Sequence, residues 1–223
     1  MSANGFEVNL HSQGAKTMKT LVSGIILAGG ASRRMGQAKA ALSWGTSTLL
    51  EHLVQKLHAR LEPLVVVCEG QMSFPGIGKH AQLVFDPISH LGPLVGFSNG
   101  LKHVPADRPV FLTGCDFPFL QSSIVDFLLE RLEDADAVVA QWYGIVQPLA
   151  GLYHPRIAGT VAQQIATGTR SMMELLKQIQ CKIVSESDWL RFDPTGHMLM
   201  NINTPEEYGQ AHKVYLSSIS SSE

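Results

Sequence analysis

Residues 27–39 read LAGGASRRMGQAK and place three glycines, Gly29, Gly30 and Gly36, among three cations, Arg33, Arg34 and Lys39. Glycines let backbone N–H groups approach an anion with no Cβ in the way, and the cations add the charge that a phosphate needs. The segment is not GxGxxG, because Ala31 stands where the second glycine would be, and it is not a Walker A loop, because no Gly-Lys-Ser/Thr follows. The plain alternative is a turn with solvated arginines. That alternative accounts poorly for three clustered cations in a chain of net charge −2.

Two aspartates stand at the ends of apolar runs. Asp86 closes QLVFD and is followed by Pro87 and then by Gly92-Pro93-Leu94-Val95-Gly96. A carboxylate there can hold a ribose, a base edge or a metal, or can close an Asx turn. Asp116 lies in FLTGCDFP. A carboxylate after a strand and before a proline reads as a rigid oxygen ligand, and Mg²⁺ needs only one or two carboxylates besides phosphate oxygens and water. A turn or a helix cap is the plain alternative. Near the end, NINTPE carries Asn201 and Asn203, which a strand would put on one side, where two amides could bind a phosphate or complete a metal shell. A helix start at Pro205 explains Asn203 or Thr204 as a cap but not Asn201. Arg170, just before an expected helix, is a cation where the helix dipole disfavours one, which suits service to an anionic ligand. The segment QPLAGLY at 147–153 reads as a strand after a turn.

Other chemistries are absent from the pattern. The nine histidines form no HExxH or HxH, so a zinc site is not expected, and no GxSxG elbow appears. Cys68, Cys115 and Cys181 are odd in number and form no CxxC, which suits reduced thiols in a cytoplasmic protein. The small net charge offers no basic field for duplex nucleic acid, and no apolar run is long enough to span a membrane.

The elements that must position these groups follow from periodicity. Short apolar runs at 21–28, 64–68, 82–85, 109–113, 137–141, 149–153 and 199–202 read as strands. Helical spacing is expected at 48–61, 92–104, 122–132 (capped by Ser122 or Ser123), 155–165, 171–179 and 205–215. Alternating strands and helices, with strands that are continuously apolar, imply a doubly wound, three-layer α/β domain on a mostly parallel sheet. The weaker periodicity of the second half points to an antiparallel piece there. Residues 1–18 are polar and mixed and read as a loose leader, or an upstream-start extension before Met18; 19–216 form the domain; 217–223 read as a serine-rich tail.

The run LAGGxSxRMGxxK resembles the signature of the nucleotidyltransferase superfamily and, through LAGG, most resembles the molybdenum cofactor guanylyltransferase family (MobA). The resemblance extends from Met18 to about Tyr215. It implies a Rossmann-like nucleotidyltransferase that moves GMP from GTP to the phosphate of Mo-molybdopterin and releases pyrophosphate. It further implies that the backbone of Leu27, Ala28, Gly29 and Gly30 cradles the nucleotide together with Lys39, Asp86 and Asp116, and that Asp116 holds Mg²⁺. Arg34 and Lys39 would then stabilise the leaving group, while Gly92, Gly96, Arg170, Asn201 and Asn203 would face the pterin substrate. Proteins that deliver the cofactor or mature molybdoenzymes are implied partners. Where relatives carry an asparagine near the guanine pocket, this chain has Cys68-Glu69, and Glu69 could accept bonds from guanine N1–H and N2–H₂. A molybdopterin cytidylyltransferase, another NTP-dependent nucleotidyltransferase and a non-catalytic nucleotide-binding regulator are the alternatives.

Overall fold

The computed structural model describes residues 19–29, 38–70, 73–86 and 91–220. The leader and, among the groups singled out above, Gly30, Arg33, Arg34, Gly36 and Pro87 lie outside those residues.

Strand β1 (Ser23–Leu27) is buried along its whole length, as its unbroken apolar run requires. A small antiparallel hairpin, β2 (Ser43–Trp44) with β3 (Ser47–Thr48), leads into α1 (Leu49–Leu57). Thr48 and Glu51 cap that helix reciprocally, each side chain accepting from the other's backbone N–H. Then come β4 (Leu64–Glu69), β5 (Gln82–Asp86), α2 (Pro93–Leu101), β6 (Val110–Gly114) and α3 (Ser123–Leu132). Ser122 sits at the N-cap of α3, but its side chain makes no capping bond. The second half adds β7 (Ala137–Trp142), β8 (Ile145–Tyr153), α4 (Ala158–Ala166), α5 (Met172–Gln178), β9 (Cys181–Val184), α6 (Glu186–Phe192) and α7 (Pro205–Ser220).

Seven strands form one sheet in the order β5-β4-β1-β6-β8-β7-β9. Within it β8 runs against its neighbours β6 and β7, and the other ladders are parallel. Successive strand residues feed opposite layers. Ile26, Val66, Phe111 and Val138 pack with α1, α3 and α6, whereas Ile25, Val65, Leu112 and Val139 pack with α2, α4 and α5. The expected three-layer sandwich is therefore present, with its antiparallel strand in the second half.

Three expectations fail. Residues 199–202 do not form a strand: a 3-10 turn at His197–Leu199 is followed by extended chain whose Ile202 N–H donates to the Asp116 carbonyl at 2.9 Å, a single tie in place of a ladder. The last helix passes Tyr215 and reaches Ser220, so residues 217–220 continue it and do not begin a loose tail. The pair β9 and α6 had no counterpart in the periodicity.

That last pair supplies a large buried group. Trp189 of α6 is fully buried and meets Phe127 of α3 edge-on at 5.7 Å and Phe192 at 5.6 Å. Trp189→Ala is expected to cost about 3–5 kcal/mol, lowering the thermal midpoint by roughly 10 °C. Its indole N–H is buried without a partner among the described residues, so Trp189→Phe should cost far less. Calorimetry of the two variants checks both figures.

Candidate nucleotide site

The strand order reverses between β1 and β6, and the crevice at the carboxyl ends of these two strands is where open α/β sheets take ligands. The Cys115 N–H donates to the Leu27 carbonyl at 3.0 Å, and the Ala28 N–H donates to the Val67 carbonyl at 2.8 Å. The first bond holds the end of β6 against β1. The second spends the Ala28 amide, so that amide is not available to a phosphate, contrary to the expectation for the loop.

Lys39 opens a short 3-10 turn, Lys39–Ala41, and reaches back to the same crevice. Its Nζ lies 3.2 Å from Asp116 Oδ2 and donates to Asn203 Oδ1 at 2.8 Å. Three groups from opposite ends of the chain thus meet, with the Lys39 and Asp116 side chains about one-fifth exposed. The tie from Ile202 to the Asp116 carbonyl fixes the segment that delivers Asn203. Asn203 N–H in turn donates to Glu207 Oε2 at 2.6 Å, so the start of α7 is part of the support. Asn201 has no share in the Lys39 contact, and the strand that would have aligned it with Asn203 does not form.

Asp116 Oδ1 is buried and has no hydrogen-bond partner among the described residues. It rests over Gly114, where a Cβ would overlap it. This glycine's role is not marked by any motif; only the fold shows why a side chain is excluded beneath the carboxylate. An orphaned carboxylate oxygen beside a half-neutralised one is a donor set that a hard cation can satisfy. Among the described residues there is no group of three or more His, Cys, Asp or Glu able to hold a metal by themselves. A cation at Asp116 would therefore rely on ligand oxygens as well.

Beside this cluster lies a cavity with Leu27 and Val67 in its wall and the carboxylates of Glu69 and Asp86 at one side. Glu69 and Asp86 are direct partners in the β4–β5 ladder. Asn99 of α2 donates to Asp86 Oδ1 at 3.2 Å, a support given away in sequence only by a polar residue in the apolar run PLVGFSNGL. Burial and the neighbouring Glu69 charge raise the Asp86 pKa above the ordinary carboxylate value, against the opposing pull of Asn99 and Lys102. Gly29, Cys68, Gly92, Pro93 and Gly96 make up the rest of the wall. Gly92 has a φ of +88°, a backbone conformation that a side chain would strain, and it lies against the Arg170 carbonyl. Arg170 stands just before α5, at the margin of this cavity, and is not among the residues in its wall.

Cys68 and Cys115, also at these strand ends, are free, buried thiols, and burial pushes them up to about 11 and about 12. Neither is a thiolate nucleophile at neutral pH.

The chain matches the MobA-like NTP transferase domain over residues 24–183. It belongs to that family. A relative from Carboxydothermus hydrogenoformans named "Probable molybdenum cofactor guanylyltransferase" is 32% identical over 191 residues, spanning 85% of this chain and 94% of the relative. One of the same name from Bacillus anthracis is 35% identical over 196 residues, spanning 86% and 96%. Among solved structures, molybdopterin-guanine dinucleotide biosynthesis protein A from Archaeoglobus fulgidus shares the fold with a TM-score of 0.74 at 21% identity, over 87% of this chain and 99% of that one. The 2-C-methyl-D-erythritol 4-phosphate cytidylyltransferase of Thermus thermophilus shares it at 0.65 and 17%, over 88% and 100%. No helix among the described residues is long and apolar enough to cross a membrane.

Proposed function

We propose that this NTP transferase moves GMP from GTP to the phosphate of Mo-molybdopterin, forming the guanine dinucleotide cofactor and pyrophosphate. The observation that carries it is the meeting of Lys39, Asp116 and Asn203 beside a cavity with two adjacent carboxylates, in a chain of this family.

A pterin phosphate oxygen attacks the α-phosphorus of GTP in line. The bond from that phosphorus to the bridging oxygen breaks, and pyrophosphate leaves with the electron pair. The attacking phosphate is already anionic, so no strong general base is needed. Catalysis is then positioning and charge stabilisation. Asp116 would hold a divalent cation such as Mg²⁺, which when bound offsets charge on the nucleotide phosphates. Lys39 and Arg34 serve the triphosphate and its leaving group. Leu27, Gly29 and Gly30 lie along the nucleotide, with Gly92 and Gly96 in the wall of the same cavity, while Arg170, Asn201 and Asn203 serve the pterin side. Free thiols suit a reducing, cytoplasmic setting, where the labile product passes to maturation proteins.

The two carboxylates support guanine as the base. Its Watson–Crick edge presents N1–H and N2–H₂ donors, which Glu69 and Asp86 can accept. Cytosine presents a single donor, N4–H₂, beside two acceptors, N3 and O2, so only one carboxylate can accept from it and the other would face an acceptor. With Mg²⁺, GTP at about 100 times its dissociation constant should stabilise the fold by about 2.7 kcal/mol, a rise of roughly 5–10 °C. CTP should give little shift, and Glu69→Gln should narrow the difference between them. A shift with CTP alone would overturn the guanine assignment.

A further inference from the structure

Neither oxygen of Asp116 is unhindered as a cation ligand. Oδ2 has the Lys39 ammonium on it at 3.2 Å, and Oδ1 is buried, turned inward over Gly114. Lys39 is not loosely placed there, because Asn203 Oδ1 accepts a second of its three protons at 2.8 Å. A divalent ion approaching Oδ2 meets a like charge already seated on the oxygen it seeks, in a place shielded enough that water screens the repulsion only in part. Triphosphate oxygens are the natural competitor for that ammonium, since a lysine binds phosphate as a point charge.

We propose that Lys39 is the resting counter-ion of Asp116 and keeps it closed to free divalent cations until nucleotide phosphates draw the ammonium away. Metal and nucleotide then bind as a pair, each favouring the other, and Asn203 is released in the same step to face substrate. The inference rests on the reading of Asp116 as the cation ligand.

The test is Mn²⁺ alone, with no nucleotide, titrated into the full chain and followed by the paramagnetic resonance signal of the free ion. Wild type should bind weakly. Lys39→Ala should bind at least tenfold more tightly, and Lys39→Gln, which keeps a donor but not the charge, should do the same if the alanine variant folds poorly. Lys102→Ala serves as the charge control, since Lys102 acts on Asp86, and should stay within twofold of wild type. Adding Asp116→Ala to Lys39→Ala should abolish the gain. Equal Mn²⁺ affinity in wild type and both Lys39 variants would overturn the counter-ion role while leaving Asp116 as cation ligand. A gain that survives loss of Asp116 would overturn the ligand assignment itself.

Discussion

Asp116→Ala should lower turnover by on the order of 10³-fold and leave the fold standing. The two halves of that result have separate causes. The carboxylate is the acidic member of the Lys39–Asn203 cluster, so its loss removes the charged oxygen there that can share a cation with a triphosphate. The fold loses a modest amount, on the order of 1–3 kcal/mol: the pair is only about one-fifth exposed, but Lys39 keeps Asn203 as a partner, and one buried oxygen without a partner among the described residues disappears with the carboxylate. Pyrophosphate release measured against Mg²⁺ concentration, beside a thermal melt, separates the effects. Turnover within tenfold of wild type would remove Asp116 from the reaction.

Gly114→Ala should also disable the enzyme at small cost in stability. Gly114 lies in β6, so the backbone conformation admits alanine, and the obstacle is space. The first atom the new methyl meets is Asp116 Oδ1, the movable end of a side chain; the next neighbour besides that carboxylate, Leu149 Cδ1, is at an ordinary 3.7 Å. The carboxylate must swing off its seat, taking its distances to Lys39 with it. Activity should fall on the order of 10²-fold, as displacement of an aligned group by about an ångström does, while the midpoint moves by only a few degrees. A midpoint collapse with normal specific activity in the surviving fraction would show that Gly114 serves packing and not the placement of Asp116.

The sheet was legible where strands are buried on both faces. Runs such as SGIIL and VFLTG are apolar almost throughout because helices cover both sides, and that signal is local. The edge strand β9 was not legible, because Lys182 and Ile183 are exposed and its CKIV carries no unbroken apolar run. Helix α6 is short, and the best cue in the sequence was Ser185 three residues before Asp188, a cap signature fulfilled by Ser185 accepting from the Asp188 N–H. For the candidate site, Lys39, Asp86, Asp116 and Asn203 stand out by type and motif, yet their convergence is a property of the fold. Asn201 was placed by assuming a ladder that a single bond from Ile202 replaces. Gly114 had no local mark and Asn99 only its polarity in an apolar run, because what each one does is set by a carboxylate elsewhere in the chain.

The lysine and the asparagine that share one ammonium proton network are 164 residues apart in the chain, and the aspartate between them is 77 from the lysine. On the ribosome, the sheet through β8 can assemble while the asparagine is still unsynthesised. A growing chain therefore gains its lysine–aspartate contact long before it gains the third partner and the helix that steadies it. A chain that ends before Asn203 lacks the third partner of that ammonium, and on the function proposed above the missing C-terminal piece supplied in trans should restore its activity.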